Sequence, residues 1–368
     1  MLLSEQDSAI RLAVAAGFNL NLRGEPAIGK TYSANVTLAN LVAEGTIEKV
    51  YHLNGATLAA SDIVMAMPNM EKRILEYFYN GLLPNAHNNP SERSVIYVGE
   101  KGLIEKLSGK FLQKLINHEE CGGYRTPDPT IFLFDGNLLT DNAGVQIQGR
   151  AIESRMTHVT VEFDLVSSQQ FARSNFHPLV GSFLADDANI PWVNNYREVY
   201  KPNRASDDQM AVEGRHGIWA SMRSWERVSK MYLATDANPT LHVHDEMIFG
   251  TVGMAAGNAF REHVNAVSRL ATFDQILHDP ARAAVPVDMS ECFTLVLILS
   301  HKTTPAVLDK VTKYIARFPI DQQIIWGRML MERAAKDAVV KSAFAAHPAF
   351  RAWVNSPNIS AGLRGAGS

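Results

Sequence analysis

One segment of the sequence has a spacing of glycine, lysine and threonine that could do chemistry, and it reads Gly24-Glu25-Pro26-Ala27-Ile28-Gly29-Lys30-Thr31. It fits the pattern G-x-x-x-x-G-K-S/T, and it lies between a predicted strand and a predicted helix. Glycines there let backbone N–H groups face phosphate oxygens, and the helix N-terminus adds its dipole. Lys30 would contact the β- and γ-phosphates of ATP, and the Thr31 hydroxyl would ligate Mg²⁺. The alternative interpretation is a chance turn before a helix.

A second candidate follows the clearest strand pattern, Ser94 to Val98. In P-loop ATPases a buried strand ends in two acids, one for Mg²⁺ and one that activates water. Here the strand ends in Gly99-Glu100, so Glu100 can polarise the attacking water, whereas Gly99 offers the metal no carboxylate. Asp135, after the neighbouring predicted strand, is a candidate for partial substitution. The alternative is that Glu100 is a surface residue at a strand end.

A third candidate is Asn137, which follows the strand pattern at 130–134 in the run Asp135-Gly136-Asn137. An asparagine at a strand end beside a P-loop can hydrogen-bond the γ-phosphate or the attacking water. Asparagine is also a common turn residue, and the residues alone leave both interpretations open.

These residues need a sheet whose strands end at one edge. Apolar runs alternate with helical patterns over the first 165 residues, which predicts an α/β domain at 1–165 with a parallel sheet flanked by helices. Helical spacing predicts a mainly helical region at 166–368. Strands are expected near 18–22, 50–53, 94–98, 130–134 and 159–163, with one strand-like stretch at 293–299. Helices are expected near 4–16, 31–42, 62–79 with an interruption at Pro68, and 103–118.

Composition restricts the class of protein. A net charge of -3 over 368 residues does not favour nucleic acid as a partner. Only two cysteines occur, Cys121 and Cys292, which excludes a disulfide framework and fits a reducing compartment. The first residues carry no secretory signal pattern, and the most apolar stretch is too short to span a bilayer. We therefore expect a cytoplasmic protein without a membrane partner.

The segment from Gly24 to Thr31 resembles the P-loop of MoxR-type AAA+ ATPases of the dynein-related subgroup. Further segments resemble the family in the same order, and the resemblance covers nearly the whole chain. The P-loop motif is specific to such ATPases, whereas each further segment is a loose match and supports the resemblance mainly because the segments occur in the family's order. They are Ser61-Asp62-Ile63 with Met67-Pro68, Gly123-Tyr124-Arg125-Thr126-Pro127-Asp128, Gly136-Asn137 with Ala143-Gly144-Val145, Ala151-Ile152-Glu153-Ser154-Arg155-Met156, His177-Pro178-Leu179-Val180, Arg223-Ser224-Trp225-Glu226-Arg227-Val228-Ser229, Ile248-Phe249-Gly250-Thr251-Val252-Gly253 and Pro348-Ala349-Phe350-Arg351-Ala352-Trp353.

The resemblance implies roles for individual residues. Asn137 takes the sensor-1 role, Arg155 is the arginine finger with Arg150 as the alternative, and Arg223 is sensor 2 of a lid domain. Each arginine also has an interpretation as a solvated helix residue. The sequence departs from the family at Gly99, where members normally have Asp, which predicts slow hydrolysis with the fold retained.

The resemblance also implies a ring, in the family a hexamer, because a finger supplied to a neighbouring subunit requires a closed set of head-to-tail interfaces. ATP hydrolysis would then remodel a protein client, with a separate von Willebrand factor A domain protein as a family-type partner. Two rival interpretations stay open. One is an assembly module in which ATP mainly stabilises the ring, and the other is a DNA-acting AAA+ motor, which the net charge disfavours.

Two other runs contain metal-ligand residue types, His242-Val243-His244-Asp245-Glu246 and His118-Glu119-Glu120-Cys121. A zinc site needs three or four converging ligands, which neither run supplies by itself. We therefore predict no metal at either run.

Overall fold

The computed structural model describes the chain except for residues 80, 82, 122–123, 139–149, 200–217, 336–337 and 365–368. The chain forms two compact units, Met1–Asp164 and Leu165–Ser368. Two segments that carry the family resemblance, Ala143-Gly144-Val145 and the start of the run at Gly123, lie outside the described residues.

The first unit is built on a parallel sheet of five strands in the order β2-β5-β6-β1-β7. The predicted parallel sheet flanked by helices is thereby confirmed. Its strands, with the separate pair β3 and β4, are β1 Leu20–Arg23, β2 Lys49–Asn54, β3 Val64–Asn69, β4 Ile74–Tyr79, β5 Ser94–Gly99, β6 Ile131–Gly136 and β7 Thr157–Thr160. Its helices are α1 Gln6–Ala16, α2 Lys30–Ala43, α3 Lys106–Ile116 and α4 Arg150–Glu153.

Alternate residues of each central strand enter two different apolar cores, one on each face of the sheet. Val95 and Tyr97 pack with Leu38 of α2 on one face, whereas Ile96 and Val98 pack with Leu112 of α3 on the other. Successive side chains of a strand point to opposite faces, so a strand covered on both faces must be apolar throughout. This explains why β5 and β6 were readable as continuous apolar runs.

The prediction of a helix at 62–79 is wrong. The segment forms an antiparallel hairpin, in which β3 pairs with β4 from Val64 opposite Tyr79 to Asn69 opposite Ile74. The Met, Leu and Glu residues of this segment favour helices, which is why a helix was predicted. Pro68 lies in β3, a strand of a two-stranded sheet, and an edge strand tolerates proline, which has no N–H to donate. The hairpin turn is completed by Arg73, whose φ of 55° lies in the left-handed region.

The second unit is helical over its described residues, as predicted. Its helices are α5 Leu165–Asn175, α6 Pro178–Ala185, α7 Ile190–Val193, α8 Tyr196–Val199, α9 Met222–Ala237, α10 Asp245–Val252, α11 Met254–Val267, α12 Phe273–His278, α13 Met289–Lys302, α14 Leu308–Ile315, α15 Ile320–Ala335, α16 Ala338–Ala346, α17 Pro348–Val354 and α18 Pro357–Arg364.

The strand-like stretch expected at 293–299 is instead the middle of α13. Helix α13 packs against both α6 and α15, so it buries side chains on more than one side. A helix buried in this way is apolar nearly all round and loses the polar stripe that identifies a surface helix. Asp288 caps its N-terminus by accepting from the backbone N–H groups of Ser290 and Glu291.

No helix in the described part of the chain is both long enough and apolar enough to cross a membrane.

Candidate functional site

The loop from Gly24 to Thr31 joins the end of β1 to the start of α2, as its pattern predicts. Gly24 is required by close approach, because a Cβ atom there would overlap the backbone oxygen of Val161. Gly29 is required by conformation, since its φ of 105° lies in the left-handed region that favours glycine. The two glycines of the motif are therefore required for different physical reasons, Gly24 for space and Gly29 for backbone conformation.

Lys30 is the first residue of α2 and is almost completely buried, with 6% of its surface exposed. Its Nζ donates to the backbone oxygens of Gly24 at 2.8 Å and of Glu25 at 2.7 Å. The buried side chain of Gln6, on α1, donates to the Lys30 backbone oxygen at 2.8 Å. A cation is thus fixed at the N-terminus of α2, where backbone N–H groups and the helix dipole also favour an anion.

Thr31 is coupled to Asp135 at the end of the neighbouring strand β6. The Thr31 hydroxyl donates to Asp135 Oδ2 at 2.6 Å, and the Tyr97 hydroxyl donates to the same oxygen at 2.5 Å. Asp135 is 4% exposed. Burial, together with the neighbouring Asp135 carboxylate, raises the pKa of Tyr97 well above its usual range, so the phenol stays protonated and acts as a donor.

Glu100 follows β5 at the same edge of the sheet and is exposed. Its φ of 55° places it in the left-handed region, and its backbone N–H donates to Asp135 Oδ1 at 3.2 Å. Gly99 immediately precedes it, and a Cβ atom at Gly99 would lie 3.5 Å from Asp135 Oδ1. The carboxylate of Asp135 therefore lies beside the position from which a side chain at residue 99 would project.

Asn137 directly follows β6, and it lies near the P-loop because the Gly24 backbone N–H donates to the Gly136 oxygen at 3.3 Å. Lys30, Thr31, Asp135, Glu100 and Asn137 are thus brought to one edge of the sheet. This is where parallel strands of an α/β sheet place a ligand site.

Arg155 lies at the opposite edge. The backbone N–H of Thr157 donates to the oxygen of Asn19, and the Asn19 side chain donates to the oxygen of Arg155 at 3.3 Å. Asn19 precedes β1, whereas the P-loop follows it, so about four strand residues, or about 13 Å, separate the two edges. The Arg155 guanidinium is exposed and donates to Asn117 at the end of α3. The structure does not bring Arg155 to its own P-loop.

The remaining predicted arginines lie elsewhere. Arg150 is the first residue of α4, and the structure describes only this place at the start of the helix for it. Arg223 is exposed in the first turn of α9, in the second unit.

A charged cluster on one face of the sheet was missed by the sequence interpretation. Glu153 at the end of α4 pairs with Lys101 Nζ at 2.7 Å, with Arg23, and with His158 Nε2 at 3.3 Å. Burial would raise the pKa of the Glu153 carboxyl, but the hydrogen bond and charge of Lys101 and the charges of Arg23 and His158 lower it. Burial lowers the pKa of Lys101, and Glu153 partly offsets this.

The cluster borders the site on two sides, because Arg23 precedes Gly24 and Lys101 follows Glu100. In the sequence, the available signal for this cluster was a basic residue next to each strand-end motif, Arg23 and Lys101. Its partner Glu153 lies 130 residues from Arg23 in sequence, so the pairing itself was not readable.

The site has residues of the kinds that could hold Mg²⁺ beside a phosphate group. Among the residues that the structure describes, no three His, Cys, Asp or Glu side chains are grouped to hold a metal ion. Magnesium in phosphate sites keeps several waters and uses few protein ligands beside the phosphates. The Thr31 hydroxyl, 2.6 Å from the buried carboxylate of Asp135, could supply these few protein contacts.

Comparisons with known proteins find distant likeness in solved structures. A scan against protein-family models finds no match, and a search of curated proteins finds none. A Cytophaga hutchinsonii protein is 18% identical over 47% of this chain, with a TM-score of 0.34, and this chain spans 51% of its length. The Thermotoga maritima RuvB Holliday junction branch migration motor is 15% identical, covering 76% of this chain and 74% of its own, with a TM-score of 0.35. NtrX from Brucella abortus in complex with ATP is 14% identical, covering 90% and 67%, with a TM-score of 0.38.

Likeness at this level says nothing about activity, so the functional argument depends on the geometry of the site.

Proposed function

We propose that this chain is a cytoplasmic AAA+ ATPase of the MoxR type that binds ATP with Mg²⁺ at the loop Gly24–Thr31. The observation that carries the proposal is Lys30, whose ammonium is buried at a helix N-terminus against two backbone oxygens of the loop. An ammonium fixed at a helix N-terminus, together with the backbone N–H groups there, favours a bound anion such as the phosphates of ATP.

The other residues at this edge divide the chemistry among them. The loop N–H groups would hold the phosphates and the Thr31 hydroxyl oxygen would hold the metal, and Mg²⁺ would neutralise charge on the phosphate oxygens. Exposed Glu100 accepts a proton from the attacking water. Asn137 orients that water or the γ-phosphate.

The test is ATP binding and steady-state ATPase activity of wild type and Lys30→Ala. Loss of the lysine should weaken ATP binding by at least about tenfold, since a hydrogen bond to a charged group is worth about 1.5–3 kcal/mol. Turnover should fall with it. The matched control is Lys110→Ala, which removes an exposed lysine of α3 and should leave both quantities unchanged. Equal ATP affinity in wild type and Lys30→Ala would contradict the proposal.

The ring and its arginine finger form a separate part of the proposal. Arg155 lies at the sheet edge away from its own P-loop, so any contact with a phosphate must be made in another subunit. Such a contact requires head-to-tail association, and closure of that association gives a ring, by resemblance a hexamer. Arg150 is the alternative finger. Arg223 is proposed as sensor 2, with the first unit as the nucleotide-binding domain and the second as lid and C-terminal extension.

Mixing two inactive variants tests the finger. Arg155→Ala should bind ATP normally and lose hydrolysis, by about 10³-fold or more where a finger is removed. Lys30→Ala should lose binding. A mixture should regain turnover, because the finger of a Lys30→Ala subunit serves the intact site of its Arg155→Ala neighbour. Arg282→Ala, which removes a highly exposed arginine, is the control for loss of positive charge. No recovery from mixed rings of normal mass would exclude Arg155.

The client is proposed to be a protein, with a separate von Willebrand factor A domain protein as one form of partner. The β3–β4 hairpin supports this, since it exposes several large apolar side chains, Met65, Met67, Met70, Ile74, Leu75, Tyr77 and Phe78. A cluster of this kind marks an interaction surface. The rival proposal, an ATP-stabilised assembly module, is favoured by Gly99, and it predicts nucleotide-dependent ring mass without turnover.

A further inference from the structure

The carboxylate that P-loop ATPases place at the end of one strand is missing here at Gly99, and a different carboxylate lies beside that position. Asp135 is the residue before the last of the neighbouring strand, β6, and its Oδ1 is 3.5 Å from where a Cβ atom at Gly99 would be. The parallel register explains this approach, because Val98 is opposite Phe134, so the residues that follow them are adjacent at the sheet edge. A side chain from β6 thus occupies space that residue 99 leaves unfilled.

The contacts of Asp135 match those required of a metal-orienting acid. Its carboxylate accepts three hydrogen bonds, from the Thr31 hydroxyl, the Tyr97 hydroxyl and the Glu100 backbone N–H. Because the Thr31 hydroxyl donates its hydrogen bond to Asp135, the lone pairs of the Thr31 oxygen point away from Asp135 and are available to a metal ion. A carboxylate offers about four acceptor sites, so capacity is left for a metal-bound water.

We infer that Asp135, reaching from the neighbouring strand, is the carboxylate that orients Mg²⁺ beside Thr31, and that Tyr97 is a positioning residue for it. Gly99 is then an adaptation to Asp135, because a second carboxylate at residue 99 would be placed against the first and repel it. This inference deepens the proposed function and rests on it.

The experiment measures how strongly Mg²⁺ tightens nucleotide binding, using a fluorescent ADP analogue with Mg²⁺ or with EDTA. Asp135→Asn keeps the shape and removes the charge. It should reduce the Mg²⁺-dependent gain in affinity by about 10- to 100-fold, the range seen when residues that support metal ligands are changed. Affinity in EDTA is measured for each variant as its own reference, so that the gain reports only the effect of Mg²⁺. Asp128→Asn, at an exposed aspartate, is the matched control.

A second set of variants moves the carboxylate from residue 135 of β6 to residue 99 of β5. Gly99→Asp alone should weaken the Mg²⁺-dependent gain through repulsion, whereas the double variant Gly99→Asp with Asp135→Asn should recover it. Tyr97→Phe should lower the gain less than Asp135→Asn, and it supplies an independent measurement if Asp135→Asn does not fold. Affinity for Mn²⁺ in the presence of ADP, measured by electron paramagnetic resonance, should follow the same order.

A Gly99→Asp variant with a larger Mg²⁺-dependent gain than wild type would overturn the inference, as would wild-type Mg²⁺ dependence in Asp135→Asn or in Tyr97→Phe. These outcomes differ from failure of the proposed function, in which wild type binds no nucleotide in EDTA or in Mg²⁺.

Discussion

The P-loop edge of the sheet and the β3–β4 hairpin belong to the same unit but are built in opposite ways. At the P-loop edge, Lys30 and Asp135 are both buried. Lys30 donates to backbone oxygens of its own loop, and Asp135 accepts from hydroxyls on two other elements. The hairpin is a two-stranded sheet on its own, and both of its strands expose apolar side chains. One region fixes polar groups inside the protein, and the other presents apolar groups to solvent.

The difference teaches where each kind of function can be located. Catalytic geometry must be fixed before the substrate arrives, and buried, hydrogen-bonded polar groups at the ends of parallel strands provide that. Recognition of varied protein surfaces needs adaptable apolar contacts, which flexible methionine side chains supply. The hairpin has Met65, Met67 and Met70 on its exposed surface.

Removing the charge of Glu153 tests whether the P-loop edge depends on its charged cluster. Glu153→Gln should destabilise the first unit by about 1–2 kcal/mol at neutral pH, less than the about 3–5 kcal/mol for a fully buried pair, because Glu153 is partly exposed. Because folding lowers the pKa of Glu153, its stabilising effect is present above the usual glutamate pKa and is lost as the pH falls through the lowered value. The difference in free energy of unfolding between wild type and variant should therefore disappear in acid.

Glu262→Gln, at an exposed glutamate of α11, is the control and should match wild type within about 0.5 kcal/mol at every pH. Denaturant unfolding at several pH values provides the measurement. A Glu153→Gln variant as stable as wild type at neutral pH would show that the site edge holds its geometry without the cluster.

The P-loop was predictable because its signal is local. The glycines, Lys30 and Thr31 fall within eight consecutive residues, and the flanking strand and helix are readable from their own periodicity. The contacts of Asp135 are of another kind. Thr31 is 104 residues away and Tyr97 is 38, so their meeting depends on strand order and register, which a single sequence does not encode in any local pattern.

The errors have the same origin. Residues 62–79 have side chains that suit a helix, and only pairing across the turn makes them a hairpin. The apolar run at 293–299 resembled a buried strand because packing on several sides of α13 removes the helical stripe. The cluster around Glu153 was missed because its four members come from four separate parts of the first unit, namely α4, β1, β7 and the turn after β5. The roles of Glu100, Asn137, Arg155 and Arg223 stay predictions.

Making the hairpin polar should have the smallest effect on folding and so tests the other side of the comparison. Leu75→Ser with Phe78→Ser changes two exposed side chains of β4, and exposed positions usually alter stability by no more than about 0.5 kcal/mol each. ATP affinity should be unchanged, while binding of the dye 8-anilinonaphthalene-1-sulfonate to the folded protein should fall because exposed apolar surface is removed. The matched control, Leu133→Ser, places the same change in the buried core and should destabilise strongly. If the hairpin variant instead unfolds or loses ATP affinity, the exposed side chains support the structure of the first unit, and the hairpin is not an independent recognition surface.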